Sequence, residues 1–195
     1  EGDHLTISVN STNPDVIASL GITGYTIDIN PAANYHGSAS ITVAIDDGNI
    51  SSSTGFDITV LPVNDAPSMV SISNVNTQEE TSTNISLNAT DIDGDTSFSF
   101  EANSDSDLFS LSVSGSTLTI SPGTDKVGTG TISVSANDGL LSSSAISFDV
   151  EIENVNDAPV ISSINDPNTV LEDGDDIVVS LSASDVDGDS VSFTV

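Results

Sequence analysis

The chain of 195 residues has no cysteine, no tryptophan and one basic side chain, Lys126, against 30 acidic ones. Each shortage closes off a class of function. Without cysteine there is no disulfide framework, no thiolate nucleophile and no Cys-based zinc or iron–sulfur site. At a formal net charge of −29, phosphate backbones and anionic membrane surfaces repel the chain, because binding them needs Lys and Arg to displace counterions. No nucleic-acid partner and no membrane insertion are therefore expected, and no run approaches the ~20 apolar residues of a membrane helix. The two histidines, His4 and His36, show no ligand spacing, which argues against zinc or copper. Aromatic residues make up only 4 %, so any core is small and aliphatic. No 3.6-residue period marks a helix.

What is present is β-structure in tandem copies. Hydrophobic residues amount to 36 % and are spread evenly among Ser, Thr and Asp, unlike the like-charged blocks of a disordered acidic tail. Val63-Asn64-Asp65-Ala66-Pro67 returns about 92 residues later as Val155-Asn156-Asp157-Ala158-Pro159. Three more landmarks return in the same order. Asp91-Ile92-Asp93-Gly94-Asp95 recurs as Asp185-Val186-Asp187-Gly188-Asp189, Ile45-Asp46-Asp47-Gly48 as Ala136-Asn137-Asp138-Gly139, and Thr77-Gln78-Glu79-Glu80 as Val170-Leu171-Glu172-Asp173. This register divides the chain into the last two-thirds of one repeat (1–67), a complete repeat (68–159) and the first third of another (160–195). It predicts that the chain is a piece of something longer.

Inside the complete repeat, apolar and polar residues alternate in six runs: Ile85/Leu87/Ala89, Phe98/Phe100, Leu111/Val113, Leu118/Ile120, Ile132/Val134/Ala136 and Ile146/Phe148/Val150/Ile152. Period-2 alternation is the signature of strands with one buried face. Turn residues separate the runs, among them Asp93-Gly94, Ser114-Gly115 and Asn137-Asp138-Gly139. Short strands at this spacing predict an all-β fold of tandem Greek-key β-sandwiches, immunoglobulin-like in architecture, with about seven strands per repeat.

Many of the acids gather at one phase of the repeat. Asn64 and Asp65 belong with Asp91, Asp93, Asp95, Asn137 and Asp138 around the first repeat junction; Glu79 and Glu80 belong with Asn156, Asp157, Asp185, Asp187 and Asp189 around the second. Packing several carboxylates together is unfavourable unless a cation sits among them, since each charge raises its neighbours' pKa. Ca²⁺ suits such a site, taking six to eight oxygen ligands at ~2.3–2.6 Å with tolerant geometry. A helix–loop–helix calcium loop does not fit: the twelfth position from Asp91 is Ala102, and strands flank the motif. As plain turn formers, Asp-Gly and Asn-Asp would need no ion at all.

The order Glu, D-x-D, Asp-Gly, Asn-Asp-Ala-Pro resembles the cadherin repeat, in particular the cadherin-like tandem repeats of very large bacterial surface adhesins and multimodular secreted proteins. Pro31-Ala32-Ala33-Asn34-Tyr35-His36-Gly37 is similar to a proline–asparagine–aromatic–glycine signature of those repeats. The resemblance implies Ca²⁺ at each junction. Carried onto these positions, Glu80, Asn156, Asp157, Asp185 and Asp187 form one metal site, and Asn64, Asp65, Asp91, Asp93 and Asp138 form the other. Asp46 and Asp47 would belong to a further junction. Animal cadherins add a leucine–aspartate–arginine–glutamate element mid-domain, where this chain has Ser121-Pro122-Gly123-Thr124-Asp125, so one or two ions per junction are expected.

The resemblance implies a structural role: an extracellular, cell-surface stalk or adhesin segment whose partners are Ca²⁺ and neighbouring repeats of the same chain or other copies. Neither terminal piece holds a closed sandwich edge, which predicts head-to-tail strand complementation between copies into a filament. The alternative is a carbohydrate- or protein-binding adhesion module, homophilic or polysaccharide-directed. Tyr25, Tyr35 and His36 are its few candidate contacts, with Tyr25 expected in the core because it alternates with Ile27 and Ile29. An enzyme is not expected, because nothing marks a pocket or an acid of raised pKa. Asn10, Asn49, Asn84 and Asn88 begin N-x-Ser/Thr acceptors, which in a Ser/Thr-rich chain reflects composition.

Overall fold

The computed structural model describes residues 5–165, 172, 174 and 176–194. The first four residues, including His4, and Val170, Leu171 and Asp173 of one repeat landmark lie outside them. Every regular element among the described residues is a β-strand, and they divide into two compact units. The first takes the described residues of 1–67 together with 90–97 and 138–141; the second takes those of 68–89, 98–137 and 142–195.

The first unit contains β1 (Thr6–Ser11), β2 (Ile17–Thr23), β3 (Thr26–Pro31), β4 (Gly37–Asp46) and β5 (Ser51–Val60). They form a three-stranded sheet in the order β1-β4-β5 and a β2-β3 hairpin. Both pairings of β4 are antiparallel and run its full length against β5, from Gly37 opposite Val60 to Asp46 opposite Ser51. Val16, Ile17, Ala39 and Ile41 are buried, with Val9, Leu20, Ile29, Ile58 and Val60 packed around them. At Gly24, whose φ is 62°, the chain makes the tight turn from β2 to β3. Tyr25 is therefore at the hairpin tip and 108 % exposed, contrary to the core position expected from its alternation with Ile27 and Ile29. The alternation continues through the turn residue only in sequence; the positive φ of Gly24 ends the strand before it.

The second unit contains β6 (Ser68–Met69), β7 (Val75–Gln78), β8 (Thr83–Ser86), β9 (Ala89–Thr90) up to Ala89, β10 (Ser99–Ser104), β11 (Phe109–Ser114), β12 (Thr117–Pro122), β13 (Gly128–Asn137), β14 (Ile146–Glu153), β15 (Val160–Ile161) and β16 (Ala183–Ser184). Seven of these make the two sheets of a sandwich, β10-β13-β14-β7 and β11-β12-β8, while β6 pairs with β9 and β15 with β16. Four of the six alternating runs of the complete repeat lie wholly in strands, while Leu87 falls between β8 and β9 and Phe98 directly precedes β10. In β14, Phe148, Val150 and Ile152 are buried while the residues between them are exposed, as one inward face requires. Leu87, Phe109, Leu118, Ile120, Ile132 and Val134 complete the core with them, each such side chain contributing about 1.5–3 kcal/mol by leaving water.

Two features depart from a uniform antiparallel stack. The run Ile85/Leu87/Ala89 is broken between β8 and β9: Leu87 N–H donates to Ser116 O, whereas Asn88 O accepts from Val70 N–H, so the chain changes partner in mid-run. The pair β7–β14 is parallel, with Val75 opposite Val150 and Gln78 opposite Glu153. One residue further, Glu79 N–H donates to Glu153 O at 3.1 Å. That extension of the ladder carries Glu79 into the acidic cluster of this unit.

Candidate metal centre

Each unit holds an acidic cluster, and the two are assembled by the same local hydrogen bonds. In the first unit Asp91 Oδ1 accepts from Asp93 N–H at 2.7 Å, and Asp93 Oδ2 accepts from Asp65 N–H at 2.6 Å. In the second, Asp185 Oδ1 accepts from Asp187 N–H at 3.0 Å, and Asp187 Oδ2 from Asp157 N–H at 2.5 Å. Asn64 Nδ2 and Asn156 Nδ2 each donate to the carbonyl of the following aspartate at 2.9 Å. Gly94 and Gly188, with φ of 90° and 82°, allow the bend between the aspartates, a conformation that costs a residue with a Cβ more than it costs glycine. The D-x-D-G-D and Asn-Asp motifs therefore lock onto one another in both places.

In the first unit Asn64 Nδ2 also donates to Asp138 Oδ2 at 2.9 Å. Asp138 Oδ1 accepts from Leu140 and Leu141 N–H at 2.7 and 2.8 Å. The Leu141 N–H, the Asn64 amide and the Leu140 N–H, in that order, hold the Asp138 carboxyl below the ordinary aspartate value. One carboxylate oxygen from each of Asp91, Asp95 and Asp138 lies within 4.8 Å of the others, and one side-chain oxygen of half-buried Asp91, Oδ2, is buried without a partner. All five residues expected at this junction, Asn64, Asp65, Asp91, Asp93 and Asp138, lie in this unit. Asp93 spends an oxygen on the Asp65 amide, and Asp95 stands in the carboxylate cluster beside Asp91 and Asp138.

The second unit brings together carboxylate oxygens of Glu79, Asp125 and Asp157, again within 4.8 Å of one another. Glu79 is 3 % exposed. Its Oε1 accepts from Val155 N–H at 2.8 Å, while Oε2 is buried with no hydrogen-bond partner. An unpaired buried oxygen of a carboxylate is costly, by about 1–3 kcal/mol or more for a charged group. Asp157 is held above the ordinary aspartate value, first by loss of hydration and then by the charges of Asp187, Asp125, Glu80 and Glu79. Glu80 itself is exposed, with φ of 58°, and contributes to this field, whereas the ligand-distance cluster contains its neighbour Glu79. Asp125 was not among the residues the sequence marked as ligands. The signal that could have found it is positional: it falls where animal cadherins carry an acidic element.

Such a cluster can bind a divalent cation through oxygen atoms. The donors are carboxylates and carbonyls, with no sulfur or imidazole among them, which is the hard-oxygen set that Ca²⁺ takes. Elsewhere, Asp47 repeats the Asp138 turn, its Oδ1 accepting from Asn49 and Ile50 N–H at 2.9 and 2.7 Å, and Asp46 Oδ1 accepts from Gly48 N–H at 2.6 Å. Also in the first unit, Asn34, Tyr35 and His36 line an open groove of about 360 Å³ with Leu61, Asp65 and Asp93.

Residues 64–151, less than half of the chain, match the model of a family described as bacterial Ig domain, in keeping with the immunoglobulin-like β-sandwich that the two sheets of the second unit form. No curated protein matches the chain. Among solved structures it is similar to human protocadherin-24 EC1-2, at 16 % identity over 77 % of this chain and 82 % of that one, with a TM-score of 0.49. It is similar also to domains 4 and 5 of the S-layer protein SbsC, at 18 % identity over 75 % and 70 % of the two chains and a TM-score of 0.35. A third similarity is to the endo-fucoidan hydrolase MfFcnA4 from glycoside hydrolase family 107, at 22 % identity and a TM-score of 0.38; it covers 79 % of this chain and 24 % of the hydrolase. The chain thus spans about a quarter of that protein's length. Among the described residues no helix is long and apolar enough to cross a membrane.

Proposed function

We propose that this chain is a repeat segment of an extracellular stalk or adhesin in which Ca²⁺ fastens the linkers between repeats to the loops beside them. One observation carries the proposal: Glu79, 3 % exposed, keeps Oε2 buried and unpartnered, and its carboxylate lies within 4.8 Å of those of Asp125 and Asp157. In a chain with one basic side chain, a cation from solution is the available partner. Metal that binds only the folded state stabilises it by RT ln(1 + [L]/Kd), and millimolar extracellular calcium matches weak sites of this kind. The role is structural, and no catalytic step is assigned to the carboxylates.

The test is calorimetric titration with CaCl2, using MgCl2 as control, together with thermal melting. Saturable Ca²⁺ binding with a higher melting temperature is expected, and Glu79→Gln should abolish most of that rise while preserving the hydrogen bond from Val155. Absence of binding at millimolar Ca²⁺ would reduce the aspartates to turn formers and leave a calcium-independent spacer.

Two further roles have particular support. In 160–194, Val160, Val178, Val186 and Phe193 are 67 %, 87 %, 58 % and 48 % exposed, an apolar surface that strands from another copy would cover to build a head-to-tail filament. Growth of scattering mass with concentration supports this assembly, and a constant monomer mass rejects it. The groove beside Tyr35, whose side chain is 58 % exposed, supports carbohydrate binding by stacking of a sugar on the ring. Binding to a polysaccharide array that survives Tyr35→Ala would exclude that site.

A further inference from the structure

The turn from β12 to β13 and the turn from β3 to β4 are the same structure at the same phase of the repeat. Pro122, Asp125 and Gly128 occupy the positions of Pro31, Asn34 and Gly37. Their backbones agree: φ is 55° at Asp125 and 63° at Asn34, 137° at Gly128 and 134° at Gly37. Among the described non-glycine residues only Glu80, with φ of 58°, shares this left-handed conformation. Asn and Asp tolerate it better than other residues with a Cβ, because their short polar side chains can hydrogen-bond locally. Two of the three left-handed residues thus mark one turn apex, once as an acid and once as its neutral amide.

At the second apex the acid is placed for a purpose that the turn itself does not require. The Asp125 carboxylate lies within 4.8 Å of those of Glu79 and Asp157, where like charges repel one another. The neighbouring Lys126 does not relieve this through its own ion pair, which it makes with Asp107 at 3.5 Å. Asn34 shows that the same backbone accepts an uncharged residue, so the repulsion is not forced by the fold. The independent sign of a ligand is the buried, unpartnered Oε2 of Glu79.

Building on the calcium role proposed above, we infer that Asp125 is a ligand of the Glu79–Asp157 site and that the residue at this apex grades calcium affinity from repeat to repeat, aspartate tightening the site and asparagine weakening it. Affinity for Ca²⁺ in oxygen cages rises with the number of charged ligands. The Asn34 apex, which lines one groove with Asp65 and Asp93, offers an amide oxygen in place of a carboxylate. Successive linkers then stiffen at different calcium concentrations.

The experiment is CaCl2 titration of the full chain by calorimetry, with melting in EDTA as the measure of folding, on the parent and on Asp125→Asn, Glu79→Gln and Asn34→Asp. Asp125→Asn should weaken the tightest-bound ion about tenfold or more while leaving the EDTA melting temperature unchanged or higher, since Asn is already accepted at the equivalent apex. Asn34→Asp should tighten a weaker binding phase. If the tightest ion is lost in Glu79→Gln but untouched in Asp125→Asn, Asp125 is no ligand and the calcium role stands without it. If Asn34→Asp leaves the titration unchanged, the grading is overturned. A parent chain that binds no Ca²⁺ overturns both the calcium role and this inference.

Discussion

At the scale of single residues, the acids of this chain do two kinds of work, and pH separates them. Asp47 is a turn acid: the N–H groups of Ile50 and then Asn49 hold its carboxyl below the ordinary aspartate value. A carboxyl depressed on folding stabilises the folded state above its unfolded pKa of about 4, and that contribution vanishes as pH falls through the lowered folded value. Asp47→Ala in EDTA is therefore expected to lower the melting temperature at pH 7 and to match the parent near pH 2; an equal deficit at both pH values would show that the effect is packing and not charge. Asp157 has the opposite sign. Raised by dehydration and by neighbouring acids, it works against the metal-free fold as pH rises from its unfolded value through the raised one, a penalty that a bound cation removes.

At the scale of elements, the strands were legible wherever burial is one-sided. In β13 and β14 the inward residues Ile132, Val134, Phe148, Val150 and Ile152 alternate strictly with outward ones, and the sequence shows the same alternation. Legibility failed where backbone conformation overrides pattern. Tyr25 keeps the alternation of β3 but sits in the tight turn beside positive-φ Gly24, before the strand begins, and the Ile85/Leu87/Ala89 run is divided between two pairings. The acidic motifs were legible as groups, since hydrogen bonds join Asn64 to Asp138, Asp65 to Asp93 and Asp157 to Asp187. That Glu79 in particular would lie within 4.8 Å of Asp125 and Asp157 was not legible, because it depends on how far the parallel β7–β14 ladder continues. Asp125 was hidden because its approach to Glu79 is set by a left-handed apex that no spacing rule reports.

Gly55 tests the element scale directly. It lies in β5 opposite Thr42, and a Cβ there would fall 2.6 Å from the carbonyl oxygen of Ile41, the backbone of a fully buried residue. Neither atom belongs to a flexible side chain, so relief requires the strands to part. Gly55→Ala is expected to destabilise the first unit by about 1–3 kcal/mol, read as a lower denaturant midpoint. An unchanged midpoint would mean that β4 and β5 separate without penalty.

At the scale of the whole molecule, a net charge of −29 makes every unit self-repelling at low ionic strength. Sodium chloride screens that repulsion without choosing among carboxylates, whereas an ion held by Glu79, Asp125 and Asp157 neutralises one particular set. Matched ionic strength is thus the proper baseline for any calcium effect. The same imbalance has a bearing on digestion. A protease that cuts only after Lys or Arg finds one address in the chain, Lys126, next to the apex residue Asp125 and half-buried in its turn. Trypsin should yield two fragments, 1–126 and 127–195, and Ca²⁺ should slow the cut in the parent but much less in Asp125→Asn. Against proteases of that specificity, survival of the chain comes down to one peptide bond, and an ion seated beside it would be the guard.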